Sequence, residues 1–135
     1  MKTVITFGTF DIFHYGHVRL LERARECGDR LVVGLSTDEF NFKKKNHKPV
    51  FNYEYRKAIL ESLRCVDLVF PEESMNLKGD YIQMNKADIL VMGDDWKGEF
   101  DTISPVPVKY LERTPTLSTT DYIKNIISSY KDEQI

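Results

Sequence analysis

Residues 3–17 read TVITFGTFDIFHYGH, in which an apolar run leads into a glycine and then into two histidines three positions apart. The run Thr3–Phe7 predicts a short buried strand, and Gly8 lets the backbone turn sharply at the end of that strand. Apolar residues then recur at helical spacing, which predicts that a helix opens at His17. His14 and His17 therefore fall at a strand-to-helix junction, where free amides and the positive end of the helix dipole favour anions. This junction predicts a polyphosphate site.

The rest of the chain alternates short apolar segments with segments of helical periodicity. Such alternation is typical of a parallel sheet with helices on both faces. Because the sequence shows no linker and no internal repeat, we predict one α/β domain over residues 1–135. We expect strands over Thr3–Phe7, Arg30–Leu35, Val66–Phe70, Ile89–Met92 and Val106–Leu111, and helices over His17–Cys27, Tyr53–Arg64, Tyr81–Lys86 and Thr119–Tyr130.

The composition is that of an ordinary globular domain, with 135 residues, 41% hydrophobic and 30% charged, and a formal net charge of -2. A negative net charge argues against nucleic-acid binding, which normally needs a basic surface. No apolar run approaches the roughly 18 residues that a membrane-spanning helix needs, and too few residues precede Gly8 for a secretory signal. We therefore expect a cytoplasmic protein without a membrane segment, in which Cys27 and Cys65 are buried small hydrophobes.

Four motifs follow predicted strands, and each contains residue types that could bind or act on a ligand. The carboxyl ends of parallel strands lie at one edge of a sheet, so we expect these motifs to meet in a single cleft there. The motifs are Gly8–His17 after the first strand, Ser36–Asn41 after the second, Gly93–Trp96 after the fourth and Arg113–Thr120 after the fifth.

The segment 8–17 resembles the GTFDxFHxGH signature of the cytidylyltransferases, within the superfamily of HxGH nucleotidyltransferases. Leu35–Asn41, Val91–Trp96 and Arg113–Thr120 are similar to segments of the glycerol-3-phosphate cytidylyltransferase family, in the same order and at nearly the same spacing. Four ordered motifs are far more specific than HxGH alone. The resemblance implies a single-domain Rossmann-like fold with a parallel five-stranded sheet, CTP as a substrate, a Mg²⁺ requirement and a homodimer.

The resemblance also implies roles for individual residues. His14 and His17 would donate hydrogen bonds to phosphate oxygens and so stabilise charge around phosphorus, with Lys44 and Arg113 as further catalytic residues. The acceptor would be bound by Lys44, Lys78 and Arg64, whereas the metal ligands stay open. The residues expected to bind CTP are Thr9, Phe10, Asp11, His14, Tyr15, Gly16, His17, Lys45, Asp94, Trp96, Arg113, Thr114, Ser118, Thr119 and Thr120.

Some of these residues also have a structural interpretation. Asp11 fits either the site or the scaffold of its loop, because aspartate in turns commonly bonds its own backbone. Ser118 to Asp121 has the form of a helix capping box, whose free amides could still bind phosphate. Asp94 and Asp95 could accept a hydrogen bond from the cytosine amino group or hold a magnesium ion.

The charged segments of the chain carry their own alternatives. Lys43–Lys48 shows no hydrophobic period, which predicts an exposed loop that becomes ordered when substrates bind. Within this segment either Lys45 or Lys48 would contact CTP, and His47 would be an ordinary surface histidine. Arg56 is predicted to lie on the solvated face of its helix.

Departures from the family pattern concern the acceptor. Met75 stands where the family has a tryptophan shortly before the lysine equivalent to Lys78, and Pro115 to Leu117 replace Glu-Gly-Ile. We predict transfer of the cytidylyl group of CTP to a small alcohol phosphate, with glycerol 3-phosphate as the first choice, for a teichoic acid or capsule precursor. The alternatives are another phosphorylated small alcohol or polyol, an adenylyltransferase of the same fold, and a nucleotide sensor without catalytic activity.

Overall fold

The computed structural model of the chain describes residues 1–115 and 118–134, so Thr116 and Leu117 of the last motif lie outside the described residues. Two short 3₁₀ turns, at Met75–Leu77 and Asp94–Trp96, accompany the regular elements. The strands are β1 (Thr3–Gly8), β2 (Arg30–Ser36), β3 (Leu68–Glu72), β4 (Ile89–Gly93) and β5 (Val108–Leu111), and the helices are α1 (Tyr15–Arg25), α2 (Asp38–Lys45), α3 (Tyr53–Glu61), α4 (Lys78–Met84) and α5 (Thr119–Gln134).

The described strands form one parallel sheet in the order β3-β2-β1-β4-β5. The chain moves outward from β1 to β2 and β3, and then returns to the other side of β1 for β4 and β5. Such a reversal leaves a crevice outside the carboxyl ends of the two strands where it occurs, here β1 and β4. The motifs that follow these two strands therefore border the crevice.

Two apolar clusters cover opposite faces of the sheet. Val4 belongs to the cluster that contains Leu21 of α1 and Leu60 of α3. The next residue, Ile5, belongs to the cluster that contains Ile82 of α4, because successive side chains of a strand point to opposite faces. Helices thus pack on both faces, and the predicted Rossmann-like fold class is confirmed.

The prediction of an exposed loop over Lys43–Lys48 is wrong for its first three residues, which form the last turn of α2. This helix begins at the Thr37 cap, whose hydroxyl accepts a hydrogen bond from the N–H of Phe40, and it ends at Asn46, whose φ of 61° is left-handed. Only Phe40 and Asn41 of α2 are buried. A helix of eight residues with so little apolar surface has no periodic signal to detect.

Other differences are shifts of boundaries. The first helix begins at Tyr15 rather than His17, β3 lies two residues later than predicted, and the fourth helix begins at Lys78. Cys27 and Cys65 are free thiols that pack, partly buried, against the α1 and α3 cluster. Within residues 1–115 and 118–134, no helix combines the length and the apolar character that crossing a membrane requires.

Candidate active site

The loop between β1 and α1 has an unusual backbone. Phe10 and Ile12 have positive φ angles of 51° and 47°, which are rare for residues with a Cβ and above all for a β-branched isoleucine. The Asp11 carboxylate holds the loop, because it accepts hydrogen bonds from the N–H groups of Val50 (2.7 Å) and Phe51 (2.9 Å). A strained backbone held in this way points to a functional site. Of the two roles open to Asp11, the structure places its carboxylate in the scaffold of the loop.

His14 and His17 together cap the start of α1. The Nδ1 atom of His14 accepts a hydrogen bond from the N–H of Gly16 at 3.1 Å, and the Nδ1 atom of His17 accepts one from the N–H of His14 at 3.3 Å. This arrangement is a capping box in which two imidazoles replace the usual hydroxyl and carboxylate. The rings stack with their centroids 3.8 Å apart. The spacing of three residues thus fixes both rings against the helix.

Both histidines are neutral at neutral pH. Burial, with a smaller contribution from His14, lowers the pKa of His17 from 6.5 to about 3. Burial and the charge of Arg113 lower the pKa of His14. Because each Nδ1 accepts a backbone hydrogen bond, the single proton of each neutral ring is on Nε2. Each imidazole therefore presents one N–H donor.

Thr119 supports this assignment of the His14 proton. The Thr119 hydroxyl donates to the carbonyl oxygen of Asp11 at 3.3 Å, so its oxygen is free to accept from His14 Nε2, which lies 3.2 Å away. The start of α5 is thereby joined to the loop after β1. The predicted capping box is confirmed, since Ser118 N–H donates to the Asp121 carboxylate and Asp121 N–H donates to the Ser118 hydroxyl, each at 3.1 Å.

An open cavity of about 240 Å³ lies against the two histidines. Its walls come from α1, from the end of β4, from the segment after β5 and from the start of α5. It brings together two histidines, two arginines, three acidic residues and three residues with hydroxyl groups, which is a combination that suits a triphosphate with a polar base. The residues on its walls are His14, Gly16, His17, Leu20, Arg23, Gly93, Asp94, Asp95, Leu111, Glu112, Arg113, Thr114, Ser118 and Thr119.

A second polar cluster lies at the carboxyl ends of β2 and β3. Lys78 is only 4% exposed and is paired with the buried carboxylate of Glu72. Its ammonium group also lies over the ring of Phe7, 4.3 Å from the centroid. Burial lowers the pKa of Lys78, and the Glu72 charge opposes this effect. Lys44 donates to the hydroxyl of Ser36 at 3.2 Å, and burial of its ammonium group lowers its pKa to about 8.

Arg56 connects this cluster to the loop after β1. The prediction of a solvated side chain is wrong, because Arg56 is 1% exposed. Its guanidinium donates to the carbonyl oxygens of Thr9 (2.9 Å), Ser36 (2.8 Å) and Phe51 (2.8 Å) and to the Asp38 carboxylate (2.7 Å). A buried charge is stable only with such a full set of partners. The sheet edge is therefore organised around this side chain.

The sequence model of the Cytidylyltransferase-like family matches residues 5–129. The chain belongs to this family. Relatives named glycerol-3-phosphate cytidylyltransferase include one from Staphylococcus aureus, 54% identical over 89% of this chain and 91% of its own. Another, from Bacillus spizizenii, is 52% identical over 95% of this chain and 99% of its own. The bifunctional protein HldE of Campylobacter concisus is 38% identical over 98% of this chain, which covers 29% of that protein.

Solved structures agree with the fold. A lipopolysaccharide core biosynthesis protein from Thermoplasma volcanium superposes with a TM-score of 0.73 at 26% identity, over 87% of this chain and 99% of that one. A pantoate-beta-alanine ligase from Francisella tularensis superposes with a TM-score of 0.60 at 18% identity, over 99% of this chain and 70% of that one, which shows likeness of fold alone.

Most residues predicted to bind CTP meet at one edge of this cytidylyltransferase-like chain. Eight of them line the cavity, namely His14, Gly16, His17, Asp94, Arg113, Thr114, Ser118 and Thr119. Phe10 is buried beneath them, and the Thr9 hydroxyl contacts Asn41 at 2.9 Å. Tyr15, Lys45 and Thr120 are exposed. Trp96 is 39% exposed and packs against Phe100, with ring centroids 5.5 Å apart.

Arg64 is the predicted site residue that the fold places elsewhere. It is exposed and lies between α3 and β3, before the first residue of that strand. This position is at the amino edge of the sheet, opposite the cavity. Glu72, by contrast, is a buried polar residue that sequence reasoning missed, because a single carboxylate at the end of a strand gives no motif.

The carboxylates that line the cavity determine whether the predicted Mg²⁺ could be held there. Among the described residues, no group of three or more histidine, cysteine, aspartate or glutamate side chains is arranged to hold a metal ion. Protein sites for Mg²⁺ commonly supply only one or two carboxylates, and substrate phosphates and water complete the shell. Asp94 and Asp95 both line the cavity and fit that role.

Proposed function

We propose that the protein transfers the cytidylyl group of CTP to glycerol 3-phosphate, giving CDP-glycerol and pyrophosphate. The observation that carries the proposal is the match to two relatives named for this activity, at 54% and 52% identity over nearly the whole of each chain. The cavity supports it, because hydrogen-bond donors and a guanidinium converge where a triphosphate would bind.

The chemical step asks the protein mainly for alignment. An oxygen of the acceptor phosphate attacks the α phosphorus of CTP, and a new phosphorus–oxygen bond forms there. The bond from the α phosphorus to the oxygen that bridges to the β phosphate breaks, and pyrophosphate leaves. Positioning and stabilisation of charge supply most of the rate in such transfers.

We assign the Nε2–H groups of His14 and His17 to phosphate oxygens of CTP. The Nε2–H of His14, which donates to the Thr119 hydroxyl in the structure, would exchange that partner for a phosphate oxygen when CTP binds. Preorganised neutral donors stabilise developing charge without a cost of reorganisation at the moment of reaction. The amides at the start of α5 that the capping box of Ser118 and Asp121 does not use, together with the guanidinium of Arg113, are assigned to the β and γ phosphates. Support for this division comes from the cavity walls, which these groups share.

Lys44 and Lys78 are assigned to the phosphate of the acceptor. Two anions must approach each other in this reaction, and cations on the acceptor side offset their repulsion. Both ammonium groups lie at the carboxyl edge of the sheet, beside β2 and β3. Arg56 donates to the carbonyl oxygens of Ser36 at this edge and of Thr9 in the loop after β1. The two substrates would therefore meet between the two lysines and that loop.

Three further features belong to the proposal. Mg²⁺ would be held by the phosphates of CTP with Asp94 or Asp95, and when bound it would neutralise charge on those phosphates.

A homodimer is supported by large apolar side chains on α5, since Ile126 and Tyr130 are 60% and 62% exposed. Because CTP is a cytoplasmic metabolite, the protein would act in the cytoplasm.

Purified protein incubated with CTP, Mg²⁺ and a panel of alcohol phosphates provides the test. We expect release of pyrophosphate and formation of CDP-glycerol with glycerol 3-phosphate, at a kcat/KM at least about tenfold above that for other small alcohol or polyol phosphates. Omission of the acceptor is the control. Faster turnover with another acceptor would contradict the choice of glycerol 3-phosphate, and equal turnover with ATP would contradict the choice of CTP.

A further inference from the structure

Glu72 is a buried carboxylate beside the place assigned to an anionic acceptor. Its side chain is 1% exposed, and it is the last residue of β3. A negative charge at this position would repel a phosphate, and burial of a carboxylate is costly unless it is paired. The partners of Glu72 therefore decide what its charge does.

The two carboxylate oxygens of Glu72 serve two different lysines. Oε2 is paired with the ammonium group of Lys78. Oε1 accepts a hydrogen bond from the Ser36 hydroxyl at 3.4 Å, and the same hydroxyl accepts one from the ammonium group of Lys44 at 3.2 Å. One carboxylate thus holds Lys78 directly and Lys44 through a hydroxyl.

The backbone fixes Glu72 and Ser36 relative to each other and to the loop after β1. The two residues are register partners at the ends of the parallel strands β2 and β3. The carbonyl oxygen of Glu72 accepts a hydrogen bond from the N–H of Thr37 at 3.0 Å. Arg56 donates to the carbonyl oxygens of both Ser36 and Thr9. The sheet therefore fixes the two groups, the Glu72 carboxylate and the Ser36 hydroxyl, to which the ammonium groups of Lys78 and Lys44 bind.

We propose that Glu72 is a positioning residue for the acceptor. Together with Ser36 it holds the ammonium groups of Lys44 and Lys78 in place, and it keeps them charged until the acceptor phosphate binds beside them. The inference rests on the proposed function, which assigns both lysines to that phosphate. Glu72 itself acts through the lysines and is not assigned a contact with substrate.

The charges around the lysines are consistent with this role. Burial is the main cause that lowers the pKa of Lys44 to about 8. The negative charge of Glu72 acts in the opposite direction and raises this pKa, whereas the positive charges of Lys78, Lys45 and Arg56 lower it further. Burial also lowers the pKa of Lys78, against the charge of Glu72. Removal of the Glu72 charge would therefore lower both pKa values further, and each ammonium group would lose its proton at a lower pH.

The test compares Glu72→Gln with the matched control Glu73→Gln, which changes an exposed carboxylate one position away. Steady-state kinetics in glycerol 3-phosphate at saturating CTP, from pH 6.5 to 9, are combined with calorimetry of CTP binding. For Glu72→Gln we expect kcat/KM for the acceptor to fall about fivefold at pH 8, which is the loss of charged Lys44 that a decrease of about one unit from its pKa of about 8 would cause. We expect the basic limb of the pH profile of acceptor kcat/KM to move to lower pH in this variant. The affinity for CTP should stay within about twofold of the wild-type value.

Ser36→Ala is the second variant, because it cuts the path to Lys44 and leaves the pair between Glu72 and Lys78 in place. We expect a smaller loss of acceptor kcat/KM in the same direction. Wild-type acceptor kinetics and pH profile in a folded Glu72→Gln protein would overturn the inference, and so would wild-type behaviour of Ser36→Ala if Glu72→Gln does not fold.

Failure of the underlying function gives a different result. If the wild-type protein forms no CDP-glycerol, the proposed function is wrong whatever Glu72 does. If Lys44→Ala and Lys78→Ala both use the acceptor normally, the assignment of these lysines to the acceptor phosphate is wrong, and the function itself is not contradicted. If those two lysine variants lose acceptor binding and Glu72→Gln does not, only the role of Glu72 is overturned.

Discussion

Replacement of His17 by glutamine separates its role in capping α1 from its proposed role as a hydrogen-bond donor to CTP. Glutamine is a common residue at this position of a capping box, and its amide oxygen can accept from the His14 N–H in place of Nδ1. Glutamine does not hold a donor at the place that the stacked ring fixes for Nε2. We therefore expect a folded variant whose kcat is lower by about 10²- to 10³-fold, the usual cost of losing one preorganised donor.

The same substitution removes a pH dependence of stability whose size follows from the pKa of His17. That pKa is about 3 in the folded protein against 6.5 for an exposed histidine. Between these values the unfolded chain binds more protons, so the free energy of unfolding falls as the pH falls, by up to about 1.4 kcal/mol per pH unit. From pH 7 to pH 5 the contribution of His17 is a loss of about 2 kcal/mol.

Urea unfolding at pH 7 and pH 5, followed by circular dichroism, measures this difference, and pyrophosphate release measures turnover. The control is His47→Gln, because His47 is exposed and its ring contacts only the Lys48 carbonyl among the described hydrogen bonds. His47→Gln should behave as the wild type in both assays. The reasoning is refuted if folded His17→Gln keeps wild-type turnover, or if it loses as much stability as the wild type between pH 7 and pH 5.

Three further results are expected. CTP should be preferred to ATP by about 100-fold or more in kcat/KM, because a site that hydrogen-bonds one base leaves polar groups unpaired with another; comparable kinetics with ATP would argue against the assigned base. Lys44→Ala should raise the acceptor KM about tenfold with CTP affinity unchanged by calorimetry, whereas the exposed Lys43→Ala should change neither. Arg56→Leu should lower the free energy of unfolding by about 3 kcal/mol, whereas Arg64→Leu, at an exposed position, should lower it by less than about 0.5 kcal/mol. Similar losses for the two variants in urea unfolding would contradict the buried role of Arg56.

The strands could be predicted from the sequence because a strand covered on both faces is a continuous apolar run. Val4 and Ile5 face different clusters, yet both are buried, and the polar residues in this strand are uncharged threonines. The order of these runs, each followed by a helical segment, was enough to predict a parallel sheet. It was also enough to place the histidine motif at a helix start, since Gly8 marks where the strand ends.

The polar part of the site could not be predicted in the same way. Arg56 lies four residues before Leu60, on the buried face of α3, so helical spacing carried a signal that its charge obscured. Glu72 lacked even that signal, because its partner Ser36 is 36 residues away and its partner Lys78, although six residues away, belongs to a different element. Hydrogen bonds between distant segments leave no local pattern, which is why the histidines were predicted and the network behind the lysines was not.

The guanidinium of Arg56 joins the two loops to which the substrates are assigned. A single atom, Nη1, donates to the carbonyl oxygens of both Thr9 and Ser36. If Thr9 shifted when the nucleotide binds, the support of Ser36, whose hydroxyl accepts from Lys44, would therefore change as well. Coupling of this kind is reciprocal. If bound CTP raises the affinity for the acceptor by some factor, bound acceptor raises the affinity for CTP by the same factor. Synergy between the substrates would thus depend on a side chain that is assigned to neither of them.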